Sequence, residues 1–493
     1  MVSSTNLSPV SELLIALDRD GGEALHRQIE TAIRARIRSG ALPGGAALPP
    51  TRALAAQLGV SRGVVVEAYA QLVAEGYLTS RSGGYTQVAD AARAADRPGD
   101  PSPMPTPTPG PRAGPARPAG PVVDFGYGRA NVGAFPRAAW LRSVRRVLTE
   151  APDDRLGYLD GRGATELRSA LAAYLNRVRG TSATREKIVL TNGYAQAVTL
   201  LMGVLAARGA RSIAVEDPSA SDDARPLAER LGMEVAGVPV GDDGVRVDAV
   251  SALRADALIL TPSHQWPTGG VLSPEARAAV LEWAQRTGAL VVEDDYDAEY
   301  RYDRAPIGAM QGLDPDRVVY AGTASKTLAP GFRLGWLVLP RDLVEPVAEA
   351  KLLADRGSPI LDQLTFADFL VRGEFDRHLR RMRPIYRSRR DALLAALAHH
   401  LPELEPVGIA AGLHLVAWLP EGLDEGSVIE AAAAEGVVIA GVRPYRLTPA
   451  TRHGLIFGYS DLSEPAIADG VRRLARAIAV LRLAAPAGGP PGT

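Results

Sequence analysis

A small α+β winged helix-turn-helix unit, a linker and a large α/β domain form the architecture this sequence predicts, and three observations carry the prediction. Residues 23–88 read as helix, helix, turn, helix and hairpin; residues 89–121 are mostly Ala, Pro, Gly and Thr; from residue 122 short β-rich runs alternate with helical stretches. The expected boundaries are therefore 12–88 for the small unit, 89–121 for the linker and 122–483 for the large domain. A Pro/Gly-rich tail at 484–493 is expected to be disordered.

At 493 residues the chain is long enough for two or more domains and a large core. Its 55 Lys and Arg balance 56 Asp and Glu, a formal charge of −1, so any surface that binds nucleic acid must be local. The absence of cysteine excludes disulfides, thiolate nucleophiles and Cys-ligated zinc. No apolar run approaches the roughly 18 residues of a membrane span and no basic-then-apolar leader begins the chain, so no membrane partner and a bacterial cytoplasmic location are expected.

In the small unit, Leu25, Ile29, Ile33 and Ile37 recur at helical spacing between Glu23 and Ser39, and Gly40 follows as a stop. Pro50 before Thr51 and Arg52 starts a short second helix with Leu54, Ala55 and Leu58 on one face. Gly59-Val60-Ser61 is a tight turn with an N-cap serine, and the third helix, Arg62 to Glu75, buries Val65, Tyr69 and Leu72. Leu78 to Val88 alternates around Gly83 and Gly84 as a β-hairpin does. The competing reading is a helical cap on an enzyme.

Almost throughout residues 23–88 this stretch resembles the DNA-binding domain of the GntR family. Pro49-Pro-Thr-Arg52 matches the family's proline-serine-x-arginine, Gly59-Val-Ser-Arg62 its glycine-valine-serine-arginine, and Ala68-Tyr-Ala-Gln-Leu72 its alanine-tyrosine-x-x-leucine. The resemblance implies a double-stranded DNA operator as partner, with Arg52 and Ser61 on phosphates and Arg62 reading a base edge from the start of the recognition helix. Thr51 and Gly63 belong to the same DNA-facing set, and the wing residues Arg81, Ser82 and Gly83 would approach the minor groove. Gly63 and Val64 stand where the family often has threonines, which reduces the side-chain contacts available. The linker, with Pro103 to Pro111 alternating prolines, is expected to be extended and semi-stiff, its alternative role being a PxxP ligand.

In the large domain, Ile188–Leu190, Ser212–Glu216, Ala257–Leu260, Ala289–Glu293 and Val318–Tyr320 are the strand-like runs, several separated by helices. A mixed or mostly parallel sheet follows, and ligands of such sheets sit at the carboxyl ends of strands. The suggestive residues fall there. Thr191 to Gln196 puts amides and hydroxyls at a helix N-terminus. Asp294 and Tyr296 share a face if their strand continues, and a metal cluster of Asp294, Asp295 and Asp297 is the alternative reading. Lys326 lies in a run of small residues between Ser325 and Thr327, with Arg333 beyond the Pro330-Gly331 turn, an arrangement suited to an aldehyde cofactor that carries a phosphate.

Together these motifs resemble fold-type I pyridoxal-phosphate (PLP) enzymes, in the aminotransferase-like form found in MocR/GabR regulators. Thr261-Pro-Ser-His264-Gln265-Trp266-Pro267-Thr268-Gly269-Gly270 looks like the MocR form of the aminotransferase asparagine-proline-x-glycine segment. The resemblance implies PLP as an internal aldimine on Lys326, Asp294 on the pyridine nitrogen, Tyr296 on the 3-hydroxyl and Trp266 in the place of the usual asparagine. Asn192, Gly193, Tyr194, Thr323, Ser325 and Arg333 would surround the phosphate. Tyr158 would reach the cofactor of a neighbouring subunit, which implies a homodimer. No metal is implied.

Two departures bear on the ligand. Ser219-Ala220-Ser221-Asp222 replaces a GabR-like tyrosine and arginine, and Ile456 falls at the carboxylate-binding arginine of aminotransferases; Arg443 or Arg452 could substitute. The expected function is a PLP-dependent transcriptional regulator that senses PLP or an amine or amino-acid effector. An active aminotransferase with an attached DNA-binding domain is the alternative.

Overall fold

The structure, a computed structural model, describes residues 13, 15–19, 21–80, 85–89, 122–158, 160–219, 224–241, 244–302, 307–449 and 452–484. It divides into two compact units, residues 1–113 and 114–493. The expected linker and tail fall almost wholly outside the described residues.

The first unit carries helices Leu25–Arg38, Thr51–Leu58 and Arg62–Ala74, followed by strands Leu78–Ser80 and Thr86–Val88 paired antiparallel. Ile29, Ile33 and Ile37, one stripe of the first helix, meet Leu54, Val65 and Leu72 in a single core. Full burial of each such side chain stabilises by about 1.5–3 kcal/mol. Gly59 ends the second helix at φ 61, a left-handed conformation that glycine adopts without strain. The Tyr69 hydroxyl donates to the Pro49 carbonyl at 3.0 Å, which fixes the entry to the second helix against the third. The hairpin has a third member that the turn-rich sequence of residues 42–50 hid: Leu48 N–H donates to Thr86 at 2.8 Å and Val88 N–H to Ala46 at 2.9 Å.

The second unit is built on an eight-stranded sheet. In spatial order the strands are Ile188–Thr191, Gly335–Val338, Val318–Thr323, Leu290–Asp295, Ala257–Leu260, Ser212–Asp217, Glu234–Gly241 and Gly244–Val245. Gly335–Val338 runs antiparallel to both neighbours, Gly244–Val245 closes the edge as a short hairpin, and the remaining pairs are parallel. Buried strands such as Ala257–Leu260 are continuous apolar runs because helices cover both faces. The helix Pro274–Thr287 shows how local sequence sets the ends. Ser273 caps it by accepting from Ala276 N–H, Pro274 opens it, and Gly288 closes it at φ 77.

A smaller layer joins both ends of this unit. Val123–Asp124 pairs parallel with Val437–Val438, and Glu405–Val407, His414–Trp418, Gly454–Gly458 and Ala440–Gly441 form a four-stranded antiparallel sheet. The helices Glu374–His400 and Glu464–Ala484 pack on each other in this layer.

One buried ion pair holds the large sheet to its helices. Arg179, the last residue of helix Thr165–Arg179, donates to Asp295 at 2.7 Å, to Ser263 at 2.7 Å and to the Ile307 carbonyl. The Tyr320 hydroxyl donates to the same Asp295 oxygen at 2.6 Å. Both side chains of the pair are almost wholly shielded from solvent. Arg179→Met leaves the Asp295 carboxylate without its counter-charge and should cost about 3–5 kcal/mol in denaturant unfolding; an unchanged midpoint would show that the pair does not hold the sheet.

Candidate cofactor site and DNA-facing surface

The parallel pairing of Leu290–Asp295 with Val318–Thr323 sets Asp294 beside Ala321 and Asp295 beside Gly322. The carboxyl ends of these strands open onto a cavity of about 350 Å³. Of the residues singled out in the sequence, Tyr194, Trp266, Asp294, Tyr296, Thr323, Ser325, Lys326 and Arg333 line it. Tyr127, Gly128, Leu413 and His414 line it as well. These arrive from the smaller layer, far along the chain from Lys326, and no local motif marks them.

Lys326 reaches across to the smaller layer and donates to the Gly128 carbonyl at 2.6 Å. Burial lowers its pKa from the ordinary lysine range, although Asp297 and Asp294 partly oppose the shift. A side chain on Gly128 would place its Cβ 2.9 Å from the lysine nitrogen. Asp294 receives a hydrogen bond from Tyr194. Burial, and then the neighbouring Asp295, push its carboxyl up to about 8. The Tyr296 hydroxyl lies 3.0 Å from His264 Nδ1 and donates to the His264 carbonyl at 3.0 Å.

At the other end of the cavity Gly193 caps helix Tyr194–Ala207 at φ 81. The Arg333 guanidinium packs against Gly193 so closely that a Cβ there would lie 2.6 Å from Nη2. Arg333 itself adopts φ 50, a left-handed conformation rare for a side-chain-bearing residue, and donates to the Asn192 carbonyl at 2.9 Å. The Thr323 hydroxyl donates to Ser325 at 2.9 Å. Helix amides, two hydroxyls and an arginine form a donor set suited to a phosphate.

Some expectations need correction. The Asn192 side chain turns away from the cavity and donates to Asp355 at 3.0 Å, because the pair of buried Lys351 and half-buried Asp355 lies behind the loop; only the Asn192 backbone faces Arg333. Tyr194 is directed to Asp294 rather than to the phosphate end. The three aspartates of the alternative metal reading diverge: Asp294 faces the cavity, Asp295 pairs with Arg179, and Asp297 pairs with His264 at 3.0 Å. His264, Asp297 and His414 do bring donor atoms within 4.8 Å of one another. Each already has a protein partner, since His414 Nε2 lies 3.1 Å from the Pro267 carbonyl. Burial and the neighbouring His264 hold the His414 pKa well below the usual histidine range. This group escaped the sequence reading; His264 beside the Trp266 loop was its signal.

The substitutes for a carboxylate-binding arginine lie elsewhere. Arg443 pairs with Asp424 at 3.5 Å, Arg452 pairs with Glu405 at 2.5 Å, and neither lines the cavity. Ile456 is fully buried in an apolar cluster with Trp266 and Trp418.

Residues 122–455 match the aminotransferase class I and II family and residues 25–88 match the bacterial regulatory proteins of the gntR family. The chain is 33% identical to the probable rhizopine catabolism regulatory protein MocR of Rhizobium meliloti, over 95% of this chain and 96% of that protein. It is 29% identical to the pyridoxine biosynthesis transcriptional regulator PdxR of Corynebacterium glutamicum, over 92% and 96%. The chain belongs to the MocR-type transcriptional regulators. These are PLP-dependent proteins that join a GntR DNA-binding domain to an aminotransferase-like domain.

The aminotransferase part of this MocR-type chain also resembles LysN, the α-aminoadipate aminotransferase of Thermus thermophilus. The TM-score is 0.67 at 28% identity, covering 74% of this chain and 93% of LysN, whose structure holds N-(5'-phosphopyridoxyl)-L-leucine. The residues present fit such a cofactor. A lysine of lowered pKa, a half-buried acid and a donor set suited to a phosphate face one cavity, and Trp266 Nε1 is buried without a hydrogen-bond partner among the described residues. Tyr158 is 94% exposed and lines none of its own chain's cofactor cavity.

On the MocR-type chain's DNA-binding unit, Arg52, Ser61, Arg62 and Gly63 are exposed and Thr51 is half-buried. Arg62 Nε lies 3.4 Å from the Thr51 hydroxyl, which gathers the ends of the second and third helices. Ser61 occupies the N-cap position, but its side chain makes no capping bond. Arg81, Ser82 and Gly83 lie outside the described residues. Val66, one turn beyond Arg62 and 43% exposed, is an apolar residue on the recognition helix that the sequence reading passed over. Among the described residues no helix is long and apolar enough to cross a membrane.

The acid in the cavity makes a pH prediction. Asp294 keeps its proton to about pH 8 when folded, against an ordinary value of 3.8. The folded state therefore binds the extra proton, and stability falls as pH rises through that window. For cofactor-free protein, Asp294→Asn should remove about 1–2 kcal/mol of the stability lost between about pH 6 and pH 8, read by denaturant unfolding at each pH. An unaltered pH slope would contradict this.

Proposed function

We propose that the cavity holds PLP on Lys326 and that the protein reports PLP, or an amine that reacts with it, to its DNA-binding unit. The observation that carries this reading is the set of Lys326, Asp294, Thr323, Ser325 and Arg333 around one cavity. When bound, PLP supplies an electrophilic carbon and a ring that can accept electrons. Lys326, kept less basic by burial, holds that carbon; Asp294 holds the ring nitrogen, whose positive charge lowers the carboxyl's raised pKa. Tyr296, fixed by His264, faces the ring hydroxyl with Trp266, while Thr323, Ser325, Arg333 and the amides after Gly193 hold the phosphate.

Arg333 is the only arginine among the described residues lining the cavity, and it is committed to the phosphate end. A carboxylate on an effector would have no arginine partner there. This favours PLP itself, or an amine without an α-carboxylate, over an amino acid. PdxR, named for pyridoxine biosynthesis, offers a parallel. Tyr158 reaches a second subunit in this reading, which makes the working form a cytoplasmic homodimer on a double-stranded operator.

Lys326→Ala should abolish the visible absorption of the lysine-bound cofactor and leave DNA affinity unresponsive to PLP, measured by fluorescence anisotropy on operator DNA. DNA binding identical with and without PLP in the wild type would overturn the sensor reading, and rapid sustained transamination would favour an enzyme.

On the DNA side, Arg62→Ala should cost about 1–3 kcal/mol and relax preference at one base position. Arg52→Ala should weaken all sequences alike and reduce the salt slope by about 1. Equal behaviour of the two variants across operator sequences would refute the division of roles.

A further inference from the structure

A second cavity, of about 540 Å³, lies where the Trp266 loop meets the edge of the smaller sheet. It is lined by Val240 and Gly241 from the large sheet, by Thr268 and Gly270, by Glu405 to Ile409, and by Trp418, Arg446 and Arg452. Its volume is that of a small-molecule site. The cofactor reading uses none of the side chains that line it.

Its two arginines differ. Arg452 is engaged: it pairs with Glu405 at 2.5 Å and its guanidinium carbon lies 5.1 Å from the centre of the Trp418 ring. Arg446 is not: its Nε is buried and has no hydrogen-bond partner among the described residues. A buried donor on a permanent cation bears the full desolvation penalty unless something accepts from it. Trp418, Val407 and Ile409 make up the apolar part of the lining.

We propose that this cavity is a ligand site for a small organic anion. The ligand's carboxylate or phosphate accepts from Arg446, and its flat or apolar body lies against Trp418. Two short stretches link it to residues that line or support the cofactor cavity. In the loop, Trp266 lines the cofactor cavity and Thr268 the second one, and Gln265 accepts from the Thr268 hydroxyl at 2.6 Å. In the turn Arg443–Tyr445, Tyr445 packs on Trp266 with ring centres 5.9 Å apart, and the next residue is Arg446. Trp266 and Trp418 belong to one apolar cluster. An anion on Arg446 therefore acts on the residues that shape the cofactor cavity, and each site modulates the affinity of the other by the same factor.

The test is calorimetric titration of the PLP-loaded protein with benzoate and, separately, phenyl phosphate, which tells a carboxylate site from a phosphate site. Saturable binding of at least one probe, one per chain, is expected at millimolar concentration or below. Arg446→Gln should weaken it about tenfold or more, and Arg446→Lys, which keeps the charge, less. The visible band of the loaded cofactor monitors the fold and the first site in every variant. Absence of saturable binding of both probes overturns the proposal, as does equal affinity in wild type and Arg446→Gln. Titrating the PLP-free Arg333→Gln protein separates this site from the phosphate end of the first: undiminished binding there supports the second cavity, and its loss places the anion at Arg333.

Discussion

The cofactor cavity rests on a guanidinium buried beneath it. Five acids, Glu293, Asp294, Asp295, Asp297 and Glu299, fall within seven consecutive residues, and all but Asp294 are closed off from solvent. Such a density of carboxyl groups survives in a core only if each has its own partner. Glu293 accepts from the Met310 and Gln311 amides, Asp295 pairs with Arg179, Asp297 pairs with His264, and Glu299 accepts from the Tyr174 hydroxyl at 3.5 Å. Asp294 receives one bond from Tyr194 and otherwise faces the cavity. The arrangement singles out one carboxyl for a ligand by committing the others to the protein.

Burial also divides the work between neighbouring residues on the same element. Asp294 and Asp295, alternating on one strand, serve the ligand and the scaffold respectively. Trp266 and Thr268, in one turn, line the two cavities, and Arg446, which lines the second, follows Tyr445, which packs on Trp266. Alternation along the strand separates the two aspartates, and the two cavities adjoin without any shared lining.

Much of the fold was legible because its signals are local. The stripe of Ile29, Ile33 and Ile37, the Pro50 and Gly59 punctuation and the apolar strands of the large sheet each declare themselves within a few residues. So did Lys326, Asp294 and Arg333, which short local motifs mark even though their partners Gly128, Tyr194 and Asn192 lie far along the chain. What stayed hidden depends on tertiary approach. Gly128 and His414 enter the cavity from the smaller layer. The side chains of Asn192 and Tyr194 point where the motif did not suggest, because Asp355 and Asp294 attract them more strongly than a distant cavity end. The Ala46–Leu48 edge of the wing was obscured by prolines and glycines that read as turns.

The raised carboxyls have a consequence for the protein's lifetime in a cell. Glu216, Glu293 and Glu299 are pushed up to about 7 and Asp294 to about 8 chiefly by burial, so near neutral pH the fold carries acids that solvent would ionise more readily. On the proposed reading a cationic ring beside Asp294 would relieve part of that burden only in the folded state, and whatever binds the folded state alone protects it from opening. Since degradation acts on the opened chain, that reading would make the amount of regulator present, and not only its hold on DNA, a function of cofactor supply.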